Sequence, residues 1–168
     1  MSGDGKLAGG VALVTGGGGA IGGAIARLFA AEGASVLVAD IRTEAAEQVA
    51  GEITAASGTA VAETTDVSDP ASAEASVAAA VAAFGSLTIL VNVAAAVTPD
   101  GSVVDLPLED WNEAFAVNLT GPFLMCKYAI PHIKAAGGGA VVNIASQLGT
   151  MGVPLRTAYC TTKAGVLH

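Results

Sequence analysis

The sequence predicts an α/β domain built around a doubly wound parallel sheet, and three observations support this fold class. Five short apolar segments alternate with longer segments of helical composition. Segments such as 11–14 are continuous apolar runs, as expected for strands that are buried on both faces. Hydrophobic residues make up 52% of the chain and charged residues 13%, enough apolar surface for one large core. No linker or repeat divides the chain, so we expect one domain over residues 1–168.

The predicted strands and helices follow one another in strict alternation. Gly33 and Gly85 stand where two helices should end, Thr43 can cap the second helix, and Gly121-Pro122 should interrupt the fourth. The predicted strands are 11–14, 35–39, 59–64, 87–91 and 140–145. The predicted helices are 24–32, 43–56, 71–84, 108–135 and one around Ala158 that is still running at 168. Right-handed crossovers would then place helices on both faces of the sheet.

A glycine-rich turn, Thr15–Gly22, lies between the first predicted strand and the first predicted helix. Its five glycines carry no Cβ, so a phosphate can approach the backbone N–H groups and the positive end of the helix dipole. Gly17, Gly19 and Gly22 fit the G-x-G-x-x-G dinucleotide pattern, and the absence of a following Lys-Ser or Lys-Thr argues against a mononucleotide P-loop. The alternative is a flexible loop without a ligand.

An acidic residue, Asp40, ends the second predicted strand 18 positions after Gly22. A carboxylate at this point can accept hydrogen bonds from both hydroxyls of an adenosine ribose. Its negative charge would repel a 2′-phosphate, so we expect NAD rather than NADP as the cofactor. Arg42 is a complication, because a basic residue just past this strand can accommodate that phosphate. The alternative is a solvated carboxylate at the end of a strand.

Composition and charge exclude several classes of protein. A net charge of −8 disfavours binding to nucleic acid. No run reaches the ~18 apolar residues that span a membrane, and the first ten residues lack the apolar core of a signal peptide. The two cysteines, Cys126 and Cys160, fit neither a metal site nor a disulfide framework. We therefore expect a cytoplasmic protein without a metal.

These residues together resemble one family, the short-chain dehydrogenases/reductases of the small, single-domain kind, whose fold is of the Rossmann type. The family's T-G-x-x-x-G-x-G pattern is matched from Thr15-Gly16 to Ile21-Gly22, except that Ala20 replaces the middle glycine. Asp66-Val67 is similar to the family's pair beside the adenine ring, although the pair could also be a plain strand-to-turn junction. Asn92 is similar to the first residue of the family's N-N-A-G. The resemblance implies cofactor contacts from Gly16, Gly19, Ile21, Gly22, Asp40, Asp66, Val67, Asn92, Tyr159 and Lys163.

The candidate catalytic residues lie in the second half of the chain. Tyr159 and Lys163 are four residues apart on a predicted helix, so the ammonium can lie near the phenol and favour its phenolate form. Ser146 follows the fifth predicted strand, at the sheet edge where such folds bind ligands. The resemblance implies that Tyr159 exchanges a proton with the substrate, that Lys163 also holds the nicotinamide ribose, and that Ser146 orients the substrate. It further implies that the backbone of Asn118 holds a water of a proton relay; alternatively, Asn118 repairs an interrupted helix.

The sequence thus predicts an NAD-dependent oxidoreductase that interconverts a secondary alcohol and a ketone, acting as a homo-oligomer, a dimer or a tetramer. One alternative is a dinucleotide-binding or sensing protein without catalysis, and another is a relative that acts on nucleotide sugars. Family members continue through further strands, so we expect this chain to be a piece of a longer protein. Alone it should bind NAD weakly, turn over little, and leave its fifth strand as an open edge.

Overall fold

The computed structural model describes residues 5–97, 99 and 101–168. The strands are β1 Val11–Thr15, β2 Ser35–Asp40, β3 Thr59–Thr64, β4 Ile89–Asn92 and β5 Ala140–Asn143. The helices are α1 Ala20–Ala31, α2 Thr43–Ala55, α3 Pro70–Phe84, α4 Leu108–Phe115, α5 Gly121–Ala135 and α6 Thr157–Leu167. A π-helical turn, Ala116–Thr120, joins α4 to α5, and a 3₁₀ turn, Gln147–Gly149, precedes α6.

The five strands form one parallel sheet in the order β3-β2-β1-β4-β5. Val14 of β1 is paired with Val38 of β2 on one side and with Val91 of β4 on the other. The strand order therefore reverses direction at β1, and in open parallel sheets ligands bind in the crevice at such a reversal. The glycine-rich turn directly follows β1, so the fold places it at this crevice. The predicted fold class is confirmed.

Alternate residues of β1 enter the two cores that flank the sheet. Leu13 packs in a core with buried residues of α3 and α5, such as Val77 and Met125. Val14 packs on the opposite face with buried residues of α1 and α2, such as Ala26 and Val49. The strand is buried on both faces, which is why its sequence is a continuous apolar run.

Several predicted boundaries differ from the structure, and local contacts explain two of them. Helix α1 begins four residues earlier than predicted, at Ala20, because the glycines permit the turn to tighten directly into the helix. Thr43 does not cap α2; it lies inside the helix, and its hydroxyl is 2.7 Å from the hydroxyl of Thr64. Strand β4 begins at Ile89 rather than at 87, and β5 ends at Asn143 rather than at 145.

The predicted long helical region, 108–135, is present, and it is interrupted just before Gly121-Pro122. Pro122 has no N–H group to donate, and the chain widens into the π-helical turn immediately before it. Gly85 ends α3 with φ of 80°, as predicted for a glycine at a helix end.

Strand β5 lies at an edge of the sheet and pairs with β4. Its valines are partly exposed, Val141 at 37% and Val142 at 43%. The predicted open edge is therefore confirmed.

Across residues 5–97, 99 and 101–168, no helix combines the length and the apolar character needed to cross a bilayer.

Candidate functional site

The glycine-rich turn brings its backbone into close contact with itself and with the neighbouring loop. Gly16 has φ of +61°, a conformation that favours glycine, and a Cβ there would lie 2.9 Å from the Cα of Ala94. A Cβ on Gly22 would overlap the carbonyl oxygen of Gly16. Glycine is thus required at both positions by the protein's own packing, and the surface of the turn is bare backbone.

Helix α1 begins at this bare surface. Gly19 precedes it in an extended conformation and offers no side-chain cap. The first N–H groups of a helix have no partner within the helix, so they are available to an anion. Ala20, the departure from the family pattern, is exposed as the first residue of the helix, and its methyl group borders the cavity rather than the packed turn.

A cavity of about 550 Å³ opens next to the turn. The predicted cofactor residues that line it are Gly16, Gly19, Ile21, Gly22, Asp40, Asp66 and Val67. Val93, Ala94 and Ala95, which follow Asn92 in the segment similar to the family's N-N-A-G, also line it, as expected for small residues that let a cofactor approach. The sequence did not predict the remaining lining residues Ile41, Thr65, Ala96, Glu113 and Val117. Asn92, Tyr159 and Lys163 do not line it, so their cofactor contacts stay a prediction.

Asp40 is fixed at the rim of this cavity by three hydrogen bonds. One carboxylate oxygen accepts a 3.0 Å bond from the N–H group of Gly18 in the turn. The other accepts bonds from the backbone N–H of Arg42 at 3.0 Å and from its side-chain Nε at 3.3 Å. The side chain is only 6% exposed, so the interpretation of Asp40 as a solvated carboxylate is wrong. Arg42 is ion-paired to Asp40.

Asp66 and Val67 follow β3 and form another part of the cavity wall. One carboxylate oxygen of Asp66 accepts bonds from the backbone N–H of Ser68 at 2.9 Å and from its hydroxyl at 2.6 Å. Val67 is 6% exposed, and a Cβ on Gly121 would lie 2.8 Å from its side chain. The pair therefore both shapes the turn after β3 and lines the cavity.

Glu113 and Val117 form a further part of the cavity wall. They are four residues apart, and this helical spacing was the signal in the sequence that they share one face.

Thr15 fixes the loop after β4, Val93–Ala96, which forms another wall. Its buried hydroxyl oxygen accepts bonds from the backbone N–H groups of Val93 at 3.0 Å and Ala94 at 3.2 Å. The sequence analysis matched Thr15 to a motif but assigned it no role. A threonine that closes an apolar strand was the available signal.

Asn92 pairs with a residue of the neighbouring strand. Its side-chain amide donates a 2.8 Å bond to the amide oxygen of Asn143, its register partner on β5, and a 3.6 Å bond to the sulfur of Cys126. The side chain is 4% exposed. These contacts hold β4 against β5 below the cavity.

The two predicted catalytic residues of α6 lie together. The Nζ atom of Lys163 is 5.8 Å from the centroid of the Tyr159 ring. The same Nζ donates a 2.7 Å bond to the carbonyl oxygen of Ile144, just after β5. Lys163 is 4% exposed, and burial lowers its pKa from the ordinary value of 10.5. The spacing of four predicts an ammonium close to the tyrosine, and Nζ lies beside the ring; the burial of Lys163 is a feature that the spacing does not predict.

Ser146 lies two residues beyond Ile144, at the carboxyl end of β5. Its hydroxyl oxygen accepts a 3.1 Å bond from the backbone N–H of Leu148 at the start of the 3₁₀ turn. This contact uses the oxygen as an acceptor and leaves the hydroxyl hydrogen available to a substrate.

Asn118 occupies the centre of the π-helical turn and is 1% exposed. Its side-chain oxygen accepts a 2.7 Å bond from the N–H of Ala96, and its amide nitrogen donates to the carbonyl of Ala96 at 3.1 Å and to the hydroxyl of Thr162 at 3.3 Å. These bonds all leave the helix, so the interpretation that the side chain repairs its own helix is wrong. Isolated π turns often occur at functional sites.

Across the described residues there is no cluster of three or more His, Cys, Asp or Glu side chains arranged to hold a metal ion.

Known proteins are similar to this chain in sequence and in fold. The sequence model of the family described as short chain dehydrogenase matches residues 10–168. A 2,5-dichloro-2,5-cyclohexadiene-1,4-diol dehydrogenase of Sphingobium indicum is 45% identical over 161 residues, which cover 96% of this chain and 64% of that protein. D-threitol dehydrogenase of Mycolicibacterium smegmatis is 42% identical, over 96% of this chain and 62% of that protein. Cyclohexanol dehydrogenase of an Acinetobacter species is 41% identical, over 93% and 62%.

A solved structure gives the same result. A 7α-hydroxysteroid dehydrogenase complexed with NADH and 7-oxo glycochenodeoxycholic acid superposes with a TM-score of 0.92 at 32% identity, over 99% of this chain and 65% of that one. The chain spans less than two thirds of the length of each of these proteins. The match to the family over residues 10–168, together with the shared fold, shows that the chain belongs to the short-chain dehydrogenase family.

Proposed function

We propose that this protein is an NAD-dependent dehydrogenase that interconverts a secondary alcohol and a ketone through Ser146, Tyr159, Lys163 and Asn118. One observation carries the proposal: the buried ammonium of Lys163 lies 5.8 Å from the ring centroid of Tyr159 and is anchored to Ile144, two residues from Ser146. In a pair that only lay on a helix surface, the lysine would be exposed and would make no hydrogen bond to another strand. Burial of an ammonium costs free energy, so a lysine buried at this position indicates a chemical use.

The residues around the cavity fit a dinucleotide. The bare backbone from Gly16 to Gly22 and the uncapped start of α1 suit a pyrophosphate, which needs N–H donors and no obstructing side chain. Asp40 lies at the rim for a ribose, and Asp66 and Val67 form the wall proposed for the adenine. The related hydroxysteroid dehydrogenase was solved with NADH. We assign NAD rather than NADP because the carboxylate of Asp40 would repel a 2′-phosphate.

The protein's side chains would manage the proton of the reaction. When bound, the dinucleotide supplies the acceptor or donor of the hydride. Tyr159 takes the proton of the substrate hydroxyl during oxidation and returns it during reduction. Ser146 donates its free hydroxyl hydrogen to the substrate oxygen, and the ammonium of Lys163 lies beside the ring of Tyr159 and anchors that part of α6 to the end of β5. The backbone carbonyl of Asn118, in the widened π turn, holds the water that connects Lys163 to solvent.

The substrate class we propose is a secondary alcohol or diol, with ring compounds first. Relatives at 45% and 41% identity are named for a cyclohexadiene diol and for cyclohexanol, and a relative at 42% is named for the open-chain polyol D-threitol. A pocket that accepts a six-membered ring needs apolar walls and a few polar groups that bind the reacting oxygen. In this proposal the hydroxyl groups of Ser146 and Tyr159 bind that oxygen.

The experiment is a screen of the purified full-length protein with NAD or NADP against cyclohexanol, cyclohexane diols and D-threitol, read as NADH or NADPH absorbance. Tyr159→Phe should abolish turnover while NADH binding, read by calorimetry, stays within about twofold, because phenylalanine keeps the ring and removes only the hydroxyl that handles the proton. Tyr128→Phe is the matched control: Tyr128 is a half-buried tyrosine on α5, and its substitution should leave turnover intact. Retained turnover in Tyr159→Phe would refute the assignment. NADH binding without turnover in the parent would support the non-catalytic alternative.

We also propose a homo-oligomer and a cytoplasmic location. Leu108 and Phe123, near the starts of α4 and α5, are 69% and 62% exposed, which suits a subunit contact. Both cysteines are free in the described chain, as expected in a reducing compartment. Light scattering of the purified protein tests the first proposal, and Phe123→Glu should shift a dimer or tetramer towards monomer.

A further inference from the structure

Thr162 occupies a buried position on α6 between the two catalytic residues of the proposed mechanism. Its side chain is 0% exposed. Its hydroxyl donates a 3.1 Å bond to the carbonyl of Tyr159 within the helix and accepts a 3.3 Å bond from the side-chain amide of Asn118. The neighbouring Thr161 is exposed, and its hydroxyl donates to the carbonyl of Thr157, one turn back. The two adjacent threonines therefore differ in what their hydroxyl groups hold.

The amide of Asn118 extends this contact to the cavity. Its oxygen accepts a 2.7 Å bond from the N–H of Ala96, and its nitrogen donates to the carbonyl of Ala96 at 3.1 Å. Ala96 lines the proposed dinucleotide cavity. A continuous chain of hydrogen bonds thus runs from the backbone of Tyr159 through Thr162 and Asn118 to the cavity wall. Both N–H donors of the Asn118 side chain are used in it, and its oxygen accepts one bond.

We propose that Thr162 is a positioning residue that locks the helix of Tyr159 and Lys163 to the cavity loop 93–96 through the amide of Asn118. The effect of Thr162 on turnover rests on the proposed function, whereas the chain of hydrogen bonds from Thr162 through Asn118 to Ala96 does not. Thr162→Val keeps the shape of the side chain but removes the acceptor, which leaves one N–H of Asn118 buried without a partner. The amide then shifts to find a new partner and loosens its hold on Ala96.

The first test is amide hydrogen exchange in the protein without ligand. In Thr162→Val the segment around Ala96 should exchange about tenfold faster than in the parent, because the N–H of Ala96 depends on the Asn118 oxygen. Thr162→Ser restores the hydroxyl and should restore slow exchange. Thr161→Val, the matched control, should leave the segment unchanged. Parent-like exchange at this segment in Thr162→Val would overturn the proposal. Thr162→Ala carries the same test if the valine variant does not fold.

The second test separates positioning from loss of folded protein. Thr162→Val should raise the KM for NAD about tenfold while the KM for the alcohol stays within about twofold, because the loosened loop lines the dinucleotide cavity. A purely structural defect would lower the apparent kcat and leave both KM values unchanged, and that result would overturn the proposal. A parent protein without NAD-dependent turnover would refute the proposed function, and the exchange experiment would still decide the link.

Discussion

The Nζ atom of Lys163 donates a 2.7 Å hydrogen bond to the carbonyl oxygen of Ile144. This bond joins the middle of α6 to the end of β5, where the chain continues to Ser146. It uses one of the three N–H donors of the ammonium and leaves two for other partners. The price of this arrangement is burial of a charge, which lowers the pKa of Lys163.

The lowered pKa of Lys163 predicts a pH-dependent cost in stability. Below the lowered pKa both the folded and unfolded states carry the charge, and the folded state bears the full cost of burying it. Between the lowered pKa and 10.5, the folded protein releases the proton before the unfolded chain does, so the cost disappears as the pH rises. The parent protein should therefore gain stability relative to Lys163→Met over this window.

The measurement is urea unfolding of parent and Lys163→Met from neutral pH towards 10.5. Both proteins also carry Tyr159→Phe, which removes the phenol beside the ammonium, so the difference in the free energy of unfolding reports Lys163. Lys127→Met, at an exposed lysine on α5, is the control and should show no such trend. A difference that stayed constant with pH would contradict the burial cost.

Asp40 and Arg42 predict how cofactor choice can be changed. Asp40→Asn keeps an oxygen for the N–H of Gly18, but it removes the charge that repels a 2′-phosphate and that pairs with Arg42 at 3.3 Å. The freed guanidinium can then bind that phosphate. We expect the ratio of affinities for NAD and NADP to move about tenfold or more towards NADP.

Calorimetric titration of each dinucleotide measures this ratio. Asp69→Asn is the matched control, since Asp69 caps α3 away from the cavity and asparagine caps a helix equally well. That variant should keep the parent ratio. An unchanged ratio in Asp40→Asn would show that another residue sets the preference.

Thr15 predicts a loss of stability from a single hydroxyl. Thr15→Val preserves the shape of the side chain but leaves the N–H groups of Val93 and Ala94 without their acceptor. We expect a loss of about 2 kcal/mol in the free energy of unfolding and weaker NADH binding, because the released loop lines the cavity. Thr59→Val, at the exposed first residue of β3, should cost less than about 0.5 kcal/mol. Equal costs measured by urea denaturation would remove the assigned role of Thr15.

The fold could be predicted from sequence because its central strands β1, β2 and β4 are buried on both faces. A segment such as 36–39 is apolar throughout, and glycines such as Gly85 end the helices between strands. Helix and strand ends that depend on tertiary contacts could not be predicted from the sequence. Threonine is a common N-cap residue, so the sequence favours Thr43 as the cap of α2. Its hydroxyl instead lies 2.7 Å from that of Thr64 at the end of β3, and no local sequence pattern predicts this contact.

The site was predicted only where a motif covers contiguous residues. The turn from Gly16 to Gly22 and the acid at Asp40 have fixed spacings along the chain, so the sequence identifies them. Thr15 and Thr162 act through hydrogen bonds to residues 78 and 44 positions away in the chain. Such contacts arise from the packing of strands and helices, and a single sequence carries no record of them.

Gly22 and Gly51 predict opposite outcomes for the same substitution. Both glycines lie in helices, but a Cβ on Gly22 would overlap the carbonyl oxygen of Gly16, whereas a Cβ on Gly51 would meet nothing within 4 Å. Gly22→Ala forces the backbone of the turn apart and should lower the free energy of unfolding by about 3 kcal/mol. The same variant should lose NADH binding. Gly51→Ala should instead stabilise the protein by about 1 kcal/mol, because alanine is the better helix former, and leave binding unchanged. Thermal and urea unfolding with calorimetric binding measure both. Normal NADH affinity in Gly22→Ala would mean that the dinucleotide does not use the bare backbone of this turn, and the assignment of the cavity would fail with it.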